Sequence, residues 1–264
     1  MSQTNVLLEL ADNGIATLCL NRPHVRNAFD DQMIASLIAA IESVEQQPQA
    51  KVLVLKANGA HFSAGADLNW MARMASNSAA QNLADAEQLA RLMDVLNRFS
   101  KPSVAIIQGA AYGGAVGLAA CCDMVFADAN STFCLSEVRL GLIPAVISPY
   151  VVRAIGERQA RRYCISGEPF DAQSAKSLGL VHQVAENSED LQQQSQQWLH
   201  KLLKNAPLAM AAAKKLVMDV SGQQIEPALI ADTAARIARI RASEEGVEGL
   251  SAFLQKRSPS WQNS

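Results

Sequence analysis

The chain has 264 residues, 49% of them hydrophobic and 18% charged, and a formal net charge of -2 at pH 7. This length is sufficient for a large hydrophobic core, so the sequence is typical of a globular protein and not of a short binding module. The nearly neutral charge argues against nucleic acid as the main partner, because surfaces that bind phosphate backbones carry an excess of Lys and Arg.

The amino-terminal part of the chain predicts alternating strands and helices. Two β-prone runs, Val6–Leu10 and Ile15–Leu20, flank the Asp-Asn-Gly turn at residues 12–14, which is typical of a hairpin. Helical periodicity over residues 30–46 and a β-branched run over residues 51–56 follow. The sheet therefore begins with a hairpin and continues through a strand-helix-strand unit.

The alternation continues to about residue 155. The predicted elements are a helix over 79–99, a strand over 103–108, a helix over 113–121, a strand over 124–127, an irregular segment to Pro144 and a helix over 148–155. Beyond Leu191 the pattern is helical. The sequence thus predicts an α/β fold with a parallel or mixed sheet in a core at residues 1–195, followed by a helical region at residues 196–264.

We expect neither a membrane span nor a targeting segment. Residues 102–122 carry no charge and are long enough to span a bilayer, but small and polar residues dilute their apolarity, so a strand, a turn and a buried helix are predicted there. The first 14 residues lack the pattern of a secretory signal. Five cysteines without a C-x-x-C pair predict a reduced, cytoplasmic protein, and four histidines without ligand spacing predict no metal.

Two loops of small residues each join a strand to a helix. In HFSAGADLNW, Asp67 is a good N-cap for a helix that begins near Leu68, and the N–H of Ala66 is placed to bind an anion. In QGAAYGGAVG, the N–H of Gly114 is placed in the same way. Two such loops favour an oxyanion hole with these two N–H groups as donors. The alternative is a tightly packed helix face of small residues, Gly113, Gly117 and Cys121.

Several motifs, in order, resemble the enoyl-CoA hydratase/isomerase, or crotonase, superfamily. They are LNRPHVRNAF at residues 20–29, HFSAGADL at 61–68, GAAYGGAVGLAACCD at 109–123, FCLSEVRLGLIP at 133–144 and AFLQKRSPSW at 252–261. The resemblance covers nearly the whole chain. It implies ββα units around a spiral core, a carboxyl-terminal helical region for trimerisation and active-site cover, and assembly as a homotrimer or a dimer of trimers.

The resemblance also implies an acyl-CoA thioester as the substrate, with coenzyme A as part of that substrate and no separate cofactor. In this family two main-chain N–H groups hold the thioester oxygen, and they correspond here to Ala66 and Gly114. The residues expected along the coenzyme A path are Arg26, Ala28, Ala64, Ala66, Asp67 and Leu68. Lys256 is a candidate for binding the phosphates, and the alternative is a solvated surface lysine.

Hydratases of this family typically use two glutamates for proton transfer. By the resemblance, the first position is Gly117 here and the second is Glu137, so this chain has one acid. Glu137 follows an apolar run, where burial would raise its pKa toward the working pH, as a group that takes and returns a proton requires. A surface glutamate is the alternative. Arg139 or Arg153 would oppose the pKa shift if either side chain points inward.

Three functions follow from these observations. A finer resemblance, to bacterial methylglutaconyl-CoA and isohexenylglutaconyl-CoA hydratases, favours hydration of a branched, carboxylated enoyl-CoA, with 3-methylglutaconyl-CoA as the first choice. Water would be oriented either by an inward arginine, for which Arg139 and Arg153 are the candidates, or by the carboxylate of the substrate itself. An enoyl-CoA isomerase, which needs one base, is the second hypothesis. A non-catalytic protein that binds CoA esters or RNA is the third. Trp70, Met71 and Met74 either shape the acyl pocket or belong to the core.

Overall fold

The computed structural model describes residues 4–262. The chain forms two compact units, of which one contains residues 4–99 and 103–195 and the other contains residues 100–102 and 196–262. The strands of the described chain are β1 (Val6–Leu10), β2 (Ile15–Leu20), β3 (Val52–Ala57), β4 (Ser103–Ile107), β5 (Ala110–Tyr112), β6 (Met124–Asp128), β7 (Thr132–Cys134), β8 (Phe170–Asp171) and β9 (Gln183–Ala185). All of these strands belong to the first unit.

The main sheet of the first unit has six strands within the described residues, in the order β1-β2-β3-β4-β6-β9. Strands β1 and β2 pair antiparallel across the Asp-Asn-Gly turn, which confirms the predicted hairpin. The other neighbours in this sheet pair in parallel, so the sheet is mixed, as predicted. Strand β4 lies in its interior and reads SVAII, with a near-continuous burial pattern that is typical of a strand covered on both faces.

A smaller sheet, in the order β5-β7-β8, was not predicted. The segment before Pro144 was expected to be irregular, but it contains β7 and a 3-10 turn at Glu137–Leu140. Strands of two or three residues are too short to show a sequence period, which explains the wrong prediction. Their pairing matters for the site, because Tyr112 in β5 lies opposite Cys134 in β7. The loop after β5 and the segment after β7 therefore emerge side by side.

The described part of the chain contains eleven α-helices. In chain order they are α1 (Asp31–Glu45), α2 (Leu68–Met74), α3 (Ala79–Asn97), α4 (Gly114–Cys121), α5 (Ser148–Ile155), α6 (Glu157–Ser166), α7 (Ala172–Leu178), α8 (Ser188–Leu202), α9 (Pro207–Val220), α10 (Pro227–Ala242) and α11 (Glu244–Leu254). Helix α1 illustrates how the local sequence determines where a helix begins and which face it buries. Asp30 caps it by accepting the Met33 N–H at 2.8 Å, and an apolar face recurring every three or four residues packs on the core.

The second unit is helical and includes α9, α10 and α11. Glu245 of α11 accepts the N–H groups of Leu208 and Ala209 at 3.0 and 2.8 Å and thereby caps α9. Neither α9 nor α10 contains a buried residue, and large apolar side chains such as Ile237 and Phe253 are exposed. None of the helices in residues 4–262 combines the length and apolarity that a membrane crossing requires.

Candidate active site

The first loop of the site turns the N–H of Ala66 away from Phe29. Phe29 bridges to Ala66, because the Phe29 N–H donates to Gly65 O at 2.7 Å and Phe29 O accepts the Asp67 N–H at 2.8 Å. In a trans peptide the C=O and N–H point in opposite directions, so the Gly65 carbonyl that faces Phe29 directs the Ala66 N–H to the other side. Within residues 4–262 this N–H has no acceptor, and Ala66 is exposed.

The second loop directs the N–H of Gly114 in a similar way. The Gly113 carbonyl accepts the Val116 N–H at 2.9 Å, so the trans peptide turns the Gly114 N–H outward at the first position of α4. No acceptor for it lies in the described part of the chain. Gly113 has φ 55° and ψ -120°, a conformation that requires glycine. The backbone of these loops thus supplies two oriented, unpaired donors.

Hydrogen bonds and packing hold the two loops together. The Ser63 N–H donates to Ala110 O at 2.9 Å, and the Tyr112 N–H donates to Ser63 O at 3.0 Å. Phe29, which positions Ala66 through its backbone, also packs by its ring against the second loop: a β-carbon placed on Gly114 would lie 3.6 Å from the ring. The predicted pair of donors therefore comes from loops in direct contact.

Glu137 lies directly beside the second loop. The Gly113 N–H donates to Cys134 O at 2.9 Å, and three residues later Glu137 begins the 3-10 turn. Its carboxylate approaches the loop so closely that a β-carbon placed on Gly113 would lie 3.2 Å from Glu137 Oε1. The other oxygen, Oε2, is buried and has no hydrogen-bond partner among the described residues. A buried acceptor without a partner is costly, so an unpaired carboxylate oxygen at this point is evidence for a functional group.

Burial raises the pKa of Glu137, and the hydrogen bond from its own backbone N–H opposes this only in part. The same apolar surroundings act on two neighbouring thiols, Cys134 and Cys164. Burial raises their pKa values, and the negative charge of Glu137 raises them further. The carboxylate thus lies among groups that stay neutral, which suits a residue that must exchange a proton near neutral pH.

Neither arginine named from the sequence offsets this shift. Arg153 Nη1 donates to Asn97 Oδ1 at 3.5 Å, so its guanidinium is directed toward α3 and not toward Glu137. Arg139 is exposed and packs near Gly167, where its charge lowers the pKa of Cys134 against the larger effect of burial. Its guanidinium has no ion-pair or hydrogen-bond partner within residues 4–262.

The position of the missing acid is filled by another side chain. Gly117 lies in the buried helix α4, and a β-carbon placed on it would lie 2.8 Å from Ile147 Cβ and 3.1 Å from Met93 Sδ, with Ile147 Cγ2 closer still. Both neighbours are at most 2% exposed. A glutamate at residue 117 would therefore have no room. Ile147 was not among the residues proposed from sequence, where nothing distinguishes it from other apolar residues.

Comparison with known proteins agrees with this geometry. The family profile described as enoyl-CoA hydratase/isomerase matches residues 11–264. The chain belongs to this family. A crystal structure of an enoyl-CoA hydratase from Shewanella pealeana is 48% identical, covers 98% of this chain and 97% of that chain, and superposes with a TM-score of 0.94.

Two further relatives of this family member span nearly its whole length. A crystal structure of an enoyl-CoA hydratase/isomerase from Marinobacter aquaeolei is 37% identical, with a TM-score of 0.91 and coverage of 97% of this chain and 98% of that one. The 2,3-dehydroadipyl-CoA hydratase of Escherichia coli is 34% identical over 246 residues, which are 93% of this chain and 94% of the relative. The α/β fold expected for an enoyl-CoA hydratase/isomerase is therefore confirmed.

The residues expected along the coenzyme A path of this enoyl-CoA hydratase/isomerase differ in accessibility. Leu68 is 80% exposed, Ala64 is partly exposed and Arg26 is exposed with φ 53°, so ligand can reach them. Ala28 is buried, and so is Asp67. Asp67 Oδ1 caps α2 and Oδ2 pairs with Arg22, so both carboxylate oxygens are used to hold the protein backbone and side chains in place.

The remaining expected site residues lie elsewhere. Lys256 belongs to the helical unit, where it is exposed and has φ 54° just after α11, and its assignment to the phosphates stays a prediction. Trp70 is buried and belongs to the core. Met74 is partly buried and packs against that core, and Met71 is also partly buried. Among residues 4–262, no group of three or more His, Cys, Asp or Glu side chains is placed to hold a metal ion.

Proposed function

We propose that this protein adds water across the 2,3-double bond of an enoyl-CoA thioester, with Glu137 as the single acid and base. The Glu137 carboxylate takes a proton from water while the water oxygen bonds to C3. The electrons of the double bond move toward the thioester oxygen, which becomes an enolate oxygen held by the N–H groups of Ala66 and Gly114. Protonated Glu137 then returns the same proton to C2, which restores the carbonyl and the starting state of the enzyme.

The observation that carries this proposal is the Glu137 carboxylate, whose Oε1 lies against Gly113 and whose buried Oε2 has no hydrogen-bond partner among residues 4–262. A raised pKa lets one carboxyl group act first as base and then as acid, and such transfer accelerates reactions about a hundredfold to ten-thousandfold. Each oxyanion donor contributes roughly 3 kcal/mol of transition-state stabilisation. These groups together supply the two features that enolate chemistry needs, a proton carrier and a site for negative charge.

We propose a branched, carboxylated acyl group, with 3-methylglutaconyl-CoA as the first choice and isohexenylglutaconyl-CoA as the second. The product of the first would be 3-hydroxy-3-methylglutaryl-CoA, a step of leucine breakdown. The sequence motifs support this choice, and so does the similarity to the Escherichia coli 2,3-dehydroadipyl-CoA hydratase, whose name denotes a carboxylated enoyl thioester. Arg139 lies two residues from Glu137, and its guanidinium has no partner among residues 4–262, so it is our candidate for binding the substrate carboxylate.

An enoyl-CoA isomerase is the second candidate, and the packing at Gly117 favours it. Because Ile147 and Met93 close the position of the first family glutamate, no second acid is available there to orient water. Isomerisation needs one base that moves a proton between C2 and C4, which Glu137 alone can do. A non-catalytic CoA-ester or RNA-binding protein is disfavoured, since such a protein has no use for a buried carboxylate oxygen that lacks a partner within the described residues.

We also propose that the protein is cytoplasmic and forms a homotrimer or a dimer of trimers. Support for assembly comes from the helical unit, whose helices expose apolar side chains in a helical spacing. On α10 and α11 they are Ile230, Ile237, Val247, Leu250, Phe253 and Leu254. Exposed apolar faces of this extent mark surfaces that bind protein. Sedimentation velocity tests this assembly, and a monomer at micromolar concentration would contradict it.

The direct test is liquid chromatography with mass spectrometry of products formed in heavy-oxygen water, since gained water changes the mass and a moved double bond changes the retention time. The protein is incubated separately with 3-methylglutaconyl-CoA, with crotonyl-CoA and with a 3-enoyl-CoA. Gain of one labelled water by the first substrate is expected, with less or none for crotonyl-CoA. A moved double bond in the 3-enoyl-CoA, with no gain of water by any substrate, would replace the hydratase proposal with the isomerase. Unchanged substrates in all three incubations would reject both.

A further inference from the structure

One nearly buried arginine connects the starts of α1 and α2, and α2 directly follows the Ala66 loop, residues 61–67. The Arg22 side chain is 13% exposed. Its Nη1 lies 2.8 Å from Asp30 Oδ2 and donates to Ala28 O at 2.7 Å, and its Nη2 lies 3.0 Å from Asp67 Oδ2. The side chains of both aspartates are at most 15% exposed. A single guanidinium thus satisfies two nearly buried carboxylates.

Both carboxylates are N-caps. Asp30 accepts the Met33 N–H at 2.8 Å at the start of α1, and Asp67 accepts the N–H groups of Asn69 and Trp70 at 2.8 and 3.2 Å at the start of α2. Each aspartate uses one oxygen for its cap and the other for Arg22. Movement of the guanidinium would therefore displace the N-caps of both helices, and Ala66 immediately precedes the N-cap of α2.

The backbone of Arg22 is itself anchored. Asn27 is fully buried, with φ 54°, and its Oδ1 accepts the Arg22 N–H at 2.7 Å. Its amide nitrogen donates to Asn58 O at 2.8 Å and to His61 O at 2.9 Å. These three bonds tie the segment with Arg22 to the end of β3 and to the beginning of the Ala66 loop. Arg22 is held at both its backbone and its side chain.

Asp67 places a negative charge one residue from the proposed oxyanion donor. Burial alone would raise its pKa, but hydrogen bonds from the N–H groups of Trp70 and Asn69 and from Arg22 outweigh this and lower the pKa, so Asp67 is ionised near neutral pH. An uncompensated carboxylate there would oppose the negative charge that develops on the thioester oxygen.

Resting on the proposed enolate chemistry, we propose that Arg22 is a positioning residue that compensates the charge of Asp67 beside the oxyanion hole and fixes the start of α2. It acts through Asp67 and does not touch the substrate. Loss of the guanidinium would leave a buried carboxylate without its cation, one residue from the donor to the developing oxyanion. The chemical step would slow more than binding would weaken, because the opposed charge exists only in the transition state.

The test compares Arg22→Met with the double variant Arg22→Met/Asp67→Asn. Asparagine caps a helix about as well as aspartate but carries no charge. We expect Arg22→Met to lower kcat by about tenfold, less than the roughly hundredfold loss for removal of an oxyanion donor, with little change in KM. The double variant is expected to recover a large part of kcat. A role that is structural alone predicts no recovery, because the double variant also lacks the ion pair.

A matched control is available in Arg73→Met. Arg73 pairs with Asp31 and so also joins α2 to α1, but both side chains are 56% exposed, and kcat should stay near that of the unaltered protein. Should Arg22→Met fail to fold, the comparison is made in an Arg22→Gln background, which also removes the positive charge but keeps a polar side chain. A double variant no faster than its single parent in the background tested would overturn the proposal. Absence of turnover in the unaltered protein and in Arg73→Met would instead reject the proposed function.

Discussion

Gly117→Ala is expected to destabilise the protein, although alanine is normally the better helix residue. Replacement of glycine inside a helix gains about 1 kcal/mol from helix propensity. Here the new methyl would lie 2.8 Å from Ile147 Cβ, about 1 Å inside the normal carbon–carbon contact. The new methyl would contact the branched Cβ of Ile147, which cannot rotate away. Overpacking of this kind costs about 1–3 kcal/mol. The difference between these two effects is a net loss of about 1 kcal/mol, or about 2 kcal/mol if the overpacking cost is at the upper end of its range.

Urea unfolding measures this loss as a lower midpoint at constant slope. Ile147→Ala alone should cost about 2–5 kcal/mol, because it opens a cavity in the core. The double variant should cost less than the sum, since the new methyl enters the vacated space, with a coupling of about 1 kcal/mol or more. Two results would refute the reasoning. One is a Gly117→Ala variant that is more stable than the unaltered protein. The other is a double variant whose loss of stability equals the sum of the two single losses. Either would mean that Ile147 does not close the first-glutamate position.

Three further expectations concern the site. Glu137→Gln should be more stable than the unaltered protein at neutral pH. Burial raises the pKa of Glu137 in the folded protein, so the folded protein loses stability as the pH rises through that pKa and the carboxyl ionises. Below about pH 4 the difference in Tm between the two proteins should vanish. Gly113→Ala should cost about 1–3 kcal/mol in backbone strain and displace Glu137, which kcat measurements would show as a loss larger than the change in KM. Arg139→Gln should raise KM for 3-methylglutaconyl-CoA about tenfold and leave crotonyl-CoA kinetics unchanged; equal effects on both substrates would remove Arg139 as the carboxylate ligand.

Local signals in the sequence predicted much of the fold. The strands at Val6–Leu10 and Ile15–Leu20 and the helix at Ser148–Ile155 have the predicted bounds, because each combines a clear period with turn residues or proline at its ends. Asp67 caps α2 as predicted, since capping depends on neighbours within four residues. Strand β8 was missed, since its two residues show no period.

The part of the site that long-range contacts determine was harder to foresee. The motifs named Glu137, Ala66 and Gly114, but the unpaired Oε2 of Glu137 depends on how β5 pairs with β7. Gly117 identified a missing acid without showing what fills its place. Ile147 does so from thirty residues further along the chain, through a contact that no local pattern reveals.

Burial of charged groups was equally hidden. Arg22 lies in the quoted motif LNRPHVRNAF, yet a lone arginine is exposed in most proteins, and only folding brings it between Asp30 and Asp67. Conversely, the sequence suggested that Arg139 or Arg153 would lower the pKa of Glu137 if either side chain pointed inward. A sequence cannot show side-chain direction, and in the structure neither guanidinium affects the pKa of Glu137 in this way.

The central claim, that Glu137 alone carries the proton, is tested most directly by Glu137→Gln. Turnover of the best enoyl-CoA substrate and the Kd of its saturated acyl-CoA analogue are measured side by side. We expect kcat to fall about a hundredfold to ten-thousandfold, while Kd stays within about threefold, because glutamine keeps the shape of the side chain and cannot exchange the proton. Turnover by Glu137→Gln at the rate of the unaltered protein would contradict the claim and move the acid and base to another residue.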